Sequence, residues 1–212
     1  MFAAEIINAE AGDHPVPSDP RVLEASLRAA DLCWHRFPYL AERYGERGHR
    51  FTRSDSAWLA TLTCLNLAKI NEQVSWLRGV LATRGVPSIM LQAHLETLCD
   101  ELDAAVPAEH LIHAKLRQVA ERLHEARRVH ISDCEAERLS DAFDHAVGVG
   151  LASRLPRTAL LLVSSVADEN DGARGATASL GGWLTDAQRF PPAWRAAVEA
   201  SLLEARTCGS RC

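Results

Sequence analysis

The chain is predicted to be all-α. Strand signals are nearly absent, turn residues separate segments whose apolar residues recur every three to four positions, and prolines or small polar residues stand where helices begin. With 212 residues, 47% of them hydrophobic and 24% charged, the composition is that of a globular protein. It excludes a disordered chain, a collagen-like repeat and a disulfide-knotted miniprotein. The pattern predicts a single-domain bundle of about six to eight helices, with a globin-like arrangement among the options.

Residues 1–18 read as a flexible N-terminal arm, residues 19–207 as the bundle and residues 208–212 as a disordered tail. Ser18-Asp19-Pro20 supplies a cap and a proline for the first helical turn. The helix that follows carries the stripe Leu23, Leu27, Ala30, Trp34 and Phe37, and Pro38 ends or kinks it because proline lacks the N–H. Tyr44-Gly45-Glu46-Arg47-Gly48 reads as a loop. Ser54-Asp55 then restarts a helix to about Thr83, where Gly85-Val86-Pro87 stops it. Ala60, Thr63, Leu67, Ile70, Val74, Leu77 and Leu81 form a seam along it. Trp58, Leu62, Leu65, Trp76 and Val80 are apolar outside that seam, which marks this helix as central to the bundle.

Pro87 opens a third helix with Leu91, Leu95, Leu98 and Leu102 inward, and Pro107 a fourth with Ile112, Leu116, Val119 and Leu123 inward. Ser132 and Glu135 have capping-box spacing and start a fifth, with Ala136, Leu139, Phe143 and Ala146 inward, ending at Gly148 and Gly150. The apolar stretch 156–166 is helical by context, although its Leu-Leu-Leu-Val run also suits a strand. Residues 168–182 are rich in Gly, Asp, Asn and Ser without apolar period, the composition of a long mobile loop. Pro191-Pro192 start a last helix with Trp194, Val198, Leu202 and Ala205 inward.

A formal charge of −5 argues against general nucleic-acid binding, which needs a surplus of cations on one face. Lys69 and Lys115 are the only lysines, a bias toward arginine that fits a GC-rich bacterial coding sequence. No Lys or Arg precedes Arg21, so the start lacks a signal-peptide pattern, and no apolar run reaches the ~18 residues of a membrane span. A cytoplasmic location without membrane insertion is expected. Cys33, Cys64, Cys99 and Cys134 fall singly in helical patterns and are expected to be unpaired and mostly buried. Cys208 and Cys212, spaced Cys-x3-Cys without a neighbouring His, are poor zinc ligands.

Two groups of residues point to chemistry. Arg43, Arg47, Arg50 and Arg53, with Tyr44 and Phe51, precede the helix start expected at Ser54. Guanidinium forks and helix N-termini both attract anions, so these six residues are the candidate site for a small anionic ligand. Glu42, Glu46 and Asp55 are near enough in sequence to pair with the same arginines. Among the histidines, His110 and His113 lie one turn apart and Asp141 and His145 share a helix face, the weak candidates for a divalent metal. His124 is ~16 Å beyond His113 along the helix axis and cannot join it. No Gly-x-Ser-x-Gly, lysine-bearing phosphate loop, His-Glu-x-x-His or calcium-loop register occurs. No catalytic residue is assigned, and the balance leans away from an enzyme.

Leu111-Ile112-His113-Ala114-Lys115-Leu116 resembles the segment around the iron-ligating histidine of globins over those six residues. The resemblance implies haem with His113 as axial ligand, although the helical pattern here runs on to Arg127 where the globin helix turns a corner. His94, flanked by Leu91, Leu95 and Leu98, is the second candidate ligand. The preferred expectation is a non-enzymatic, cytoplasmic bacterial protein that senses a small anionic ligand or docks a partner protein, with a homodimer through a helix face open. Alternatives are a globin-like sensor of haem or bilin and an enzyme with a His/carboxylate metal site.

Overall fold

The computed structural model describes residues 2–209. The chain is all-α, with ten α-helices among the described residues, more than the six to eight expected: α1 (Pro20–Arg36), α2 (Pro38–Thr61), α3 (Leu67–Thr83), α4 (Ser88–Ala105), α5 (His110–Arg128), α6 (Asp133–Val147), the single turn α7 (Val149–Ala152), α8 (Thr158–Asn170), α9 (Ala176–Leu184) and α10 (Pro192–Gly209). No helix among them is long and apolar enough to cross a membrane. Where the sequence suggests one bundle, the chain groups into two compact units. One holds Met1–Val74 and Gln92–Glu121, the other Ser75–Leu91 and Arg122–Cys212.

In the first unit, the segment ahead of α1 is built into the fold. β1 (Phe2–Ala3) pairs antiparallel with β2 (Pro15–Val16), and Ala4 and Val16 are buried in one cluster with Ala57 of α2. Asp19 caps α1 by accepting from the Arg21 N–H at 2.8 Å, as the Asp-Pro pair predicts. Pro38 separates α1 from α2, which pack together. The loop expected at Tyr44–Gly48 is instead a kink within α2. Gly45 takes φ 56°, a left-handed value that glycine adopts without penalty, and the helix resumes at once. Ser54 therefore lies in the middle of a helix and does not start one.

The long helix expected from Ser54 to Thr83 is two helices. A 3-10 turn at Leu62–Cys64 follows α2, Leu65 is extended, and Asn66 caps α3 by accepting from the Lys69 N–H at 2.9 Å. Lys115 of α5 donates to the Thr63 and Leu65 carbonyls at 2.6 and 2.8 Å, which satisfies acceptors that the break would leave open. The seam residues Ile70, Val74 and Leu77 are buried, but Leu65 and Trp76 are exposed, so α3 is not enclosed on all sides. Ile112, expected inward, is exposed together with Leu111, while Leu116, Val119 and Leu123 of α5 are buried as expected.

The second unit is centred on α8. All but three of its residues are buried, and α6 and α10 pack on it and on each other. Ser132 caps α6 through the Glu135 N–H, and Gly148 ends that helix at φ 76°. Trp194 stacks on Phe190 and meets Phe143 edge-on, with centroids 5.2 and 5.1 Å away. The segment 168–182, expected as a loop, holds the end of α8 and most of α9. Glu169 organises the turn between them by accepting from the Gly175 N–H at 3.0 Å and from the Thr177 hydroxyl. A Cβ on Gly181 would sit 2.9 Å from Leu202 Cδ1, so glycine lets α9 approach α10 closely.

α10 continues to Gly209, and Cys208, expected in a disordered tail, is a buried helical residue; Cys212 lies outside the described residues. Cys33 and Cys99 are buried as expected. Cys64, in the turn after α2, and Cys134, in the first turn of α6, are exposed.

Candidate functional site

α4 begins directly after Pro87, which has no side chain able to cap it, so its first N–H groups need acceptors from elsewhere. α8 supplies them. Asp168 Oδ2 accepts from the Ser88 N–H at 2.7 Å, and Ser164 Oγ accepts from the Ile89 N–H at 3.2 Å. Arg127 of α5 donates through Nη1 to the Ser88 hydroxyl at 3.2 Å and to the Leu123 carbonyl at 3.2 Å. Asp168 is 1% exposed, and its Oδ1 has no hydrogen-bond partner among the described residues. Burial raises its carboxyl above the ordinary carboxylate range, and the Ser88 bonds and the positive fields of Arg78 and Arg127 offset only part of that.

This buried polar knot borders a cavity of about 330 Å³ in the second unit. Ile89 of α4, Ile131, Ala136 of α6, and Leu160, Val163 and Ala167 of α8 give it an apolar lining, with Ser164 as a polar member. His124, Arg127 and Arg128 of α5 add basic side chains, while Asp133 and Glu137 of α6 add carboxylates. The two sets meet at Asp133 Oδ2, which lies 3.1 Å from Arg128 Nε and 3.3 Å from His124 Nε2. An apolar lining with a few converging polar groups is the usual make-up of a small-molecule site, and the volume is at the small end of the ~300–1,000 Å³ range.

The arginines singled out by sequence are held elsewhere, within α2 of the first unit. Arg47 and Arg50 pair with Glu10 at 2.8 and 3.4 Å, and Arg47 lies over the Phe51 ring. Arg53 pairs with Asp31 at 2.5 Å, and His49 Nε2 meets the same carboxylate at 2.8 Å. Burial pushes the Asp31 carboxyl up, but the bonds from Arg53 and His49 outweigh it and hold the group below its ordinary value. Arg43 bonds to the Tyr39 hydroxyl at 2.6 Å and lies over the Tyr44 ring. Each of the four arginines thus meets a carboxylate or an aromatic group of its own unit.

His113 is buried, with Nδ1 2.8 Å from Asp103 Oδ1 and Nε2 3.8 Å from Glu109 Oε2, so both ring nitrogens face carboxylates. His94 is buried too, yet neither ring nitrogen has a hydrogen-bond partner among the described residues. Burial lowers its pKa to about 4, which leaves the ring neutral at pH 7. His110, Asp141 and His145 are exposed. No three His, Cys, Asp or Glu side chains among the described residues form a group able to hold a metal ion, so the candidates are not gathered into a ligand set. Cys99 lies 3.8 Å from Asp103 Oδ2 and 3.7 Å from Arg117. Burial and the Asp103 charge raise its thiol pKa, the opposite of an activated nucleophile.

Fold and site together define an all-α protein with a small cavity that is apolar inside and charged along two helices. No family model, curated protein or solved structure matches the chain.

Proposed function

We propose that this protein is a non-enzymatic small-ligand-binding protein, acting as a sensor in a bacterial cytoplasm, and that its ligand occupies the cavity of the second unit. The observation that carries the reading is the cavity itself, whose apolar lining is bordered by His124, Arg127, Arg128, Asp133 and Glu137. Arg127 is anchored on Ser88, beside the buried Asp168 carboxylate, so one charged group of the lining is fixed in advance. Binding there would be felt at the start of α4 and along α8, a route by which occupancy reaches the rest of the unit. Saturation-transfer NMR against a library of short-chain carboxylates, amines and amino acids tests it. Binding that disappears in Ala136→Phe and Leu160→Trp supports the reading. A library without binders, or binders indifferent to both substitutions, refutes it.

A second reading, a tetrapyrrole sensor, draws on one observation, the buried and unpartnered imidazole of His94. With both nitrogens of His113 facing carboxylates, His94 is the axial ligand this reading requires. Haem reconstitution decides it: a Soret band abolished by His94→Ala supports it, and no band dismisses it.

A further inference from the structure

The charges around the cavity are sorted by helix. On α5 they are all basic, at positions 124, 127 and 128, which share one helix face. On α6 they are both acidic, Asp133 and Glu137, one turn apart. Two arginines face two carboxylates, so a ligand of net charge would leave one set unbalanced. The two sets are also adjacent, because Asp133 touches Arg128 at 3.1 Å.

Both sets have bonding capacity left among the described residues. Arg128 approaches Asp133 through Nε and its side chain makes no hydrogen bond among the described residues, which leaves its two terminal nitrogens as donors. Both contacts given for Asp133 are at Oδ2, its Oδ1 makes no hydrogen bond among the described residues, and the Glu137 side chain has neither an ion pair nor a hydrogen bond among them. Neighbouring groups of opposite sign over an apolar lining match a molecule that carries an anion and a cation on one carbon and an apolar branch beside them. The small volume favours few atoms over a nucleotide or a tetrapyrrole.

Resting on the cavity as the ligand site, we infer that its ligand is a free α-amino acid with an aliphatic side chain. The carboxylate meets Arg128, the ammonium meets Glu137 and Asp133, and the side chain lies on Ile89, Leu160 and Val163.

Calorimetric titration with three probes of one carbon skeleton tests this: L-leucine, 4-methylpentanoate, which lacks the ammonium, and 3-methylbutylamine, which lacks the carboxylate. Leucine is expected to bind at least about tenfold more tightly than either, the loss of one charge-assisted hydrogen bond. Glu137→Gln should weaken leucine and leave 4-methylpentanoate unchanged, while Arg128→Gln should weaken both and leave the amine unchanged. Both residues are exposed, so these variants are expected to fold, and circular dichroism verifies it. Absence of leucine binding, or equal binding of either truncated probe, overturns the inference. If a truncated probe binds and Ala136→Phe or Leu160→Trp abolishes it, the cavity stands as the site and only the ligand class falls. If neither substitution affects any binding, the site falls as well.

Discussion

Replacing His94 by Leu should flatten the acid limb of the stability curve. Burial lowers the His94 pKa from 6.5 to about 4. Below pH 6.5 the unfolded chain binds a proton at this side chain while the folded protein does not, so stability falls with pH until the folded ring is itself protonated near pH 4. At ~1.4 kcal/mol for each tenfold difference in proton affinity, the depression amounts to about 3 kcal/mol of stability that is present at neutral pH and lost by pH 4. His94→Leu removes this loss, and also removes two buried nitrogens that have no partner among the described residues, so its stability at pH 7 should equal or exceed that of the parent. Urea unfolding of both proteins at pH 7, 6, 5 and 4.5 measures the effect. Surface carboxylates contribute alike to the two proteins and cancel in the difference. A difference that stays constant within about 1 kcal/mol across the series would show that the imidazole is solvated and the burial argument wrong.

Asp168→Asn keeps an acceptor for the Ser88 N–H and removes a buried charge. Because burial raises this carboxyl, its ionisation disfavours folding as pH rises, so the variant should melt above the parent at pH 7, with the gap closing toward acid. Asp168→Ala removes the cap and should lose ~1–2 kcal/mol; equal losses in the two variants would contradict the capping role. Of the five described cysteines, Cys64 and Cys134 should react rapidly with N-ethylmaleimide under native conditions, and Cys33, whose thiol is pushed up to about 12 by burial, should not react; peptide mapping reads each site. Ile70→Ala, at a fully buried position of α3, should cost ~2–5 kcal/mol in urea unfolding, and a loss under 1 kcal/mol would mean that the seam is not packed.

Helix starts were the most legible part of the sequence because their signals are local. Asp19-Pro20, Ser132 with Glu135, Pro107 and Pro192 all mark elements found in the fold. The break at Leu62–Asn66 is masked in the sequence by an apolar seam that runs across it from Ala60 to Ile70, although Asn66 is itself a good capping residue. α8, helical in the sequence only by context over 156–166, is hard to read for the opposite reason. A helix buried on nearly every side has no polar face, so the amphipathic period that reveals a helix is missing. In the arginine-rich segment the sequence shows only the near carboxylates Glu42, Glu46 and Asp55, and carries no sign that folding brings Glu10 to Arg47 and Arg50 and Asp31 to Arg53. The cavity had no motif to read, since four helices each contribute only one to four residues to it.

The start of α4 is completed by atoms that lie 75 and 80 residues further along the chain, on Ser164 and Asp168. At ~5–20 residues per second, a ribosome makes Asp168 about 4–16 s after Ser88. During that interval the first N–H groups of α4 have water as their acceptor, and Pro87 offers no local substitute. The turn is therefore finished from a distance and late, with most of the chain already synthesised. A nascent chain stalled before α8 would carry a fraying helix far upstream of the stall, where proteases and chaperones could engage it.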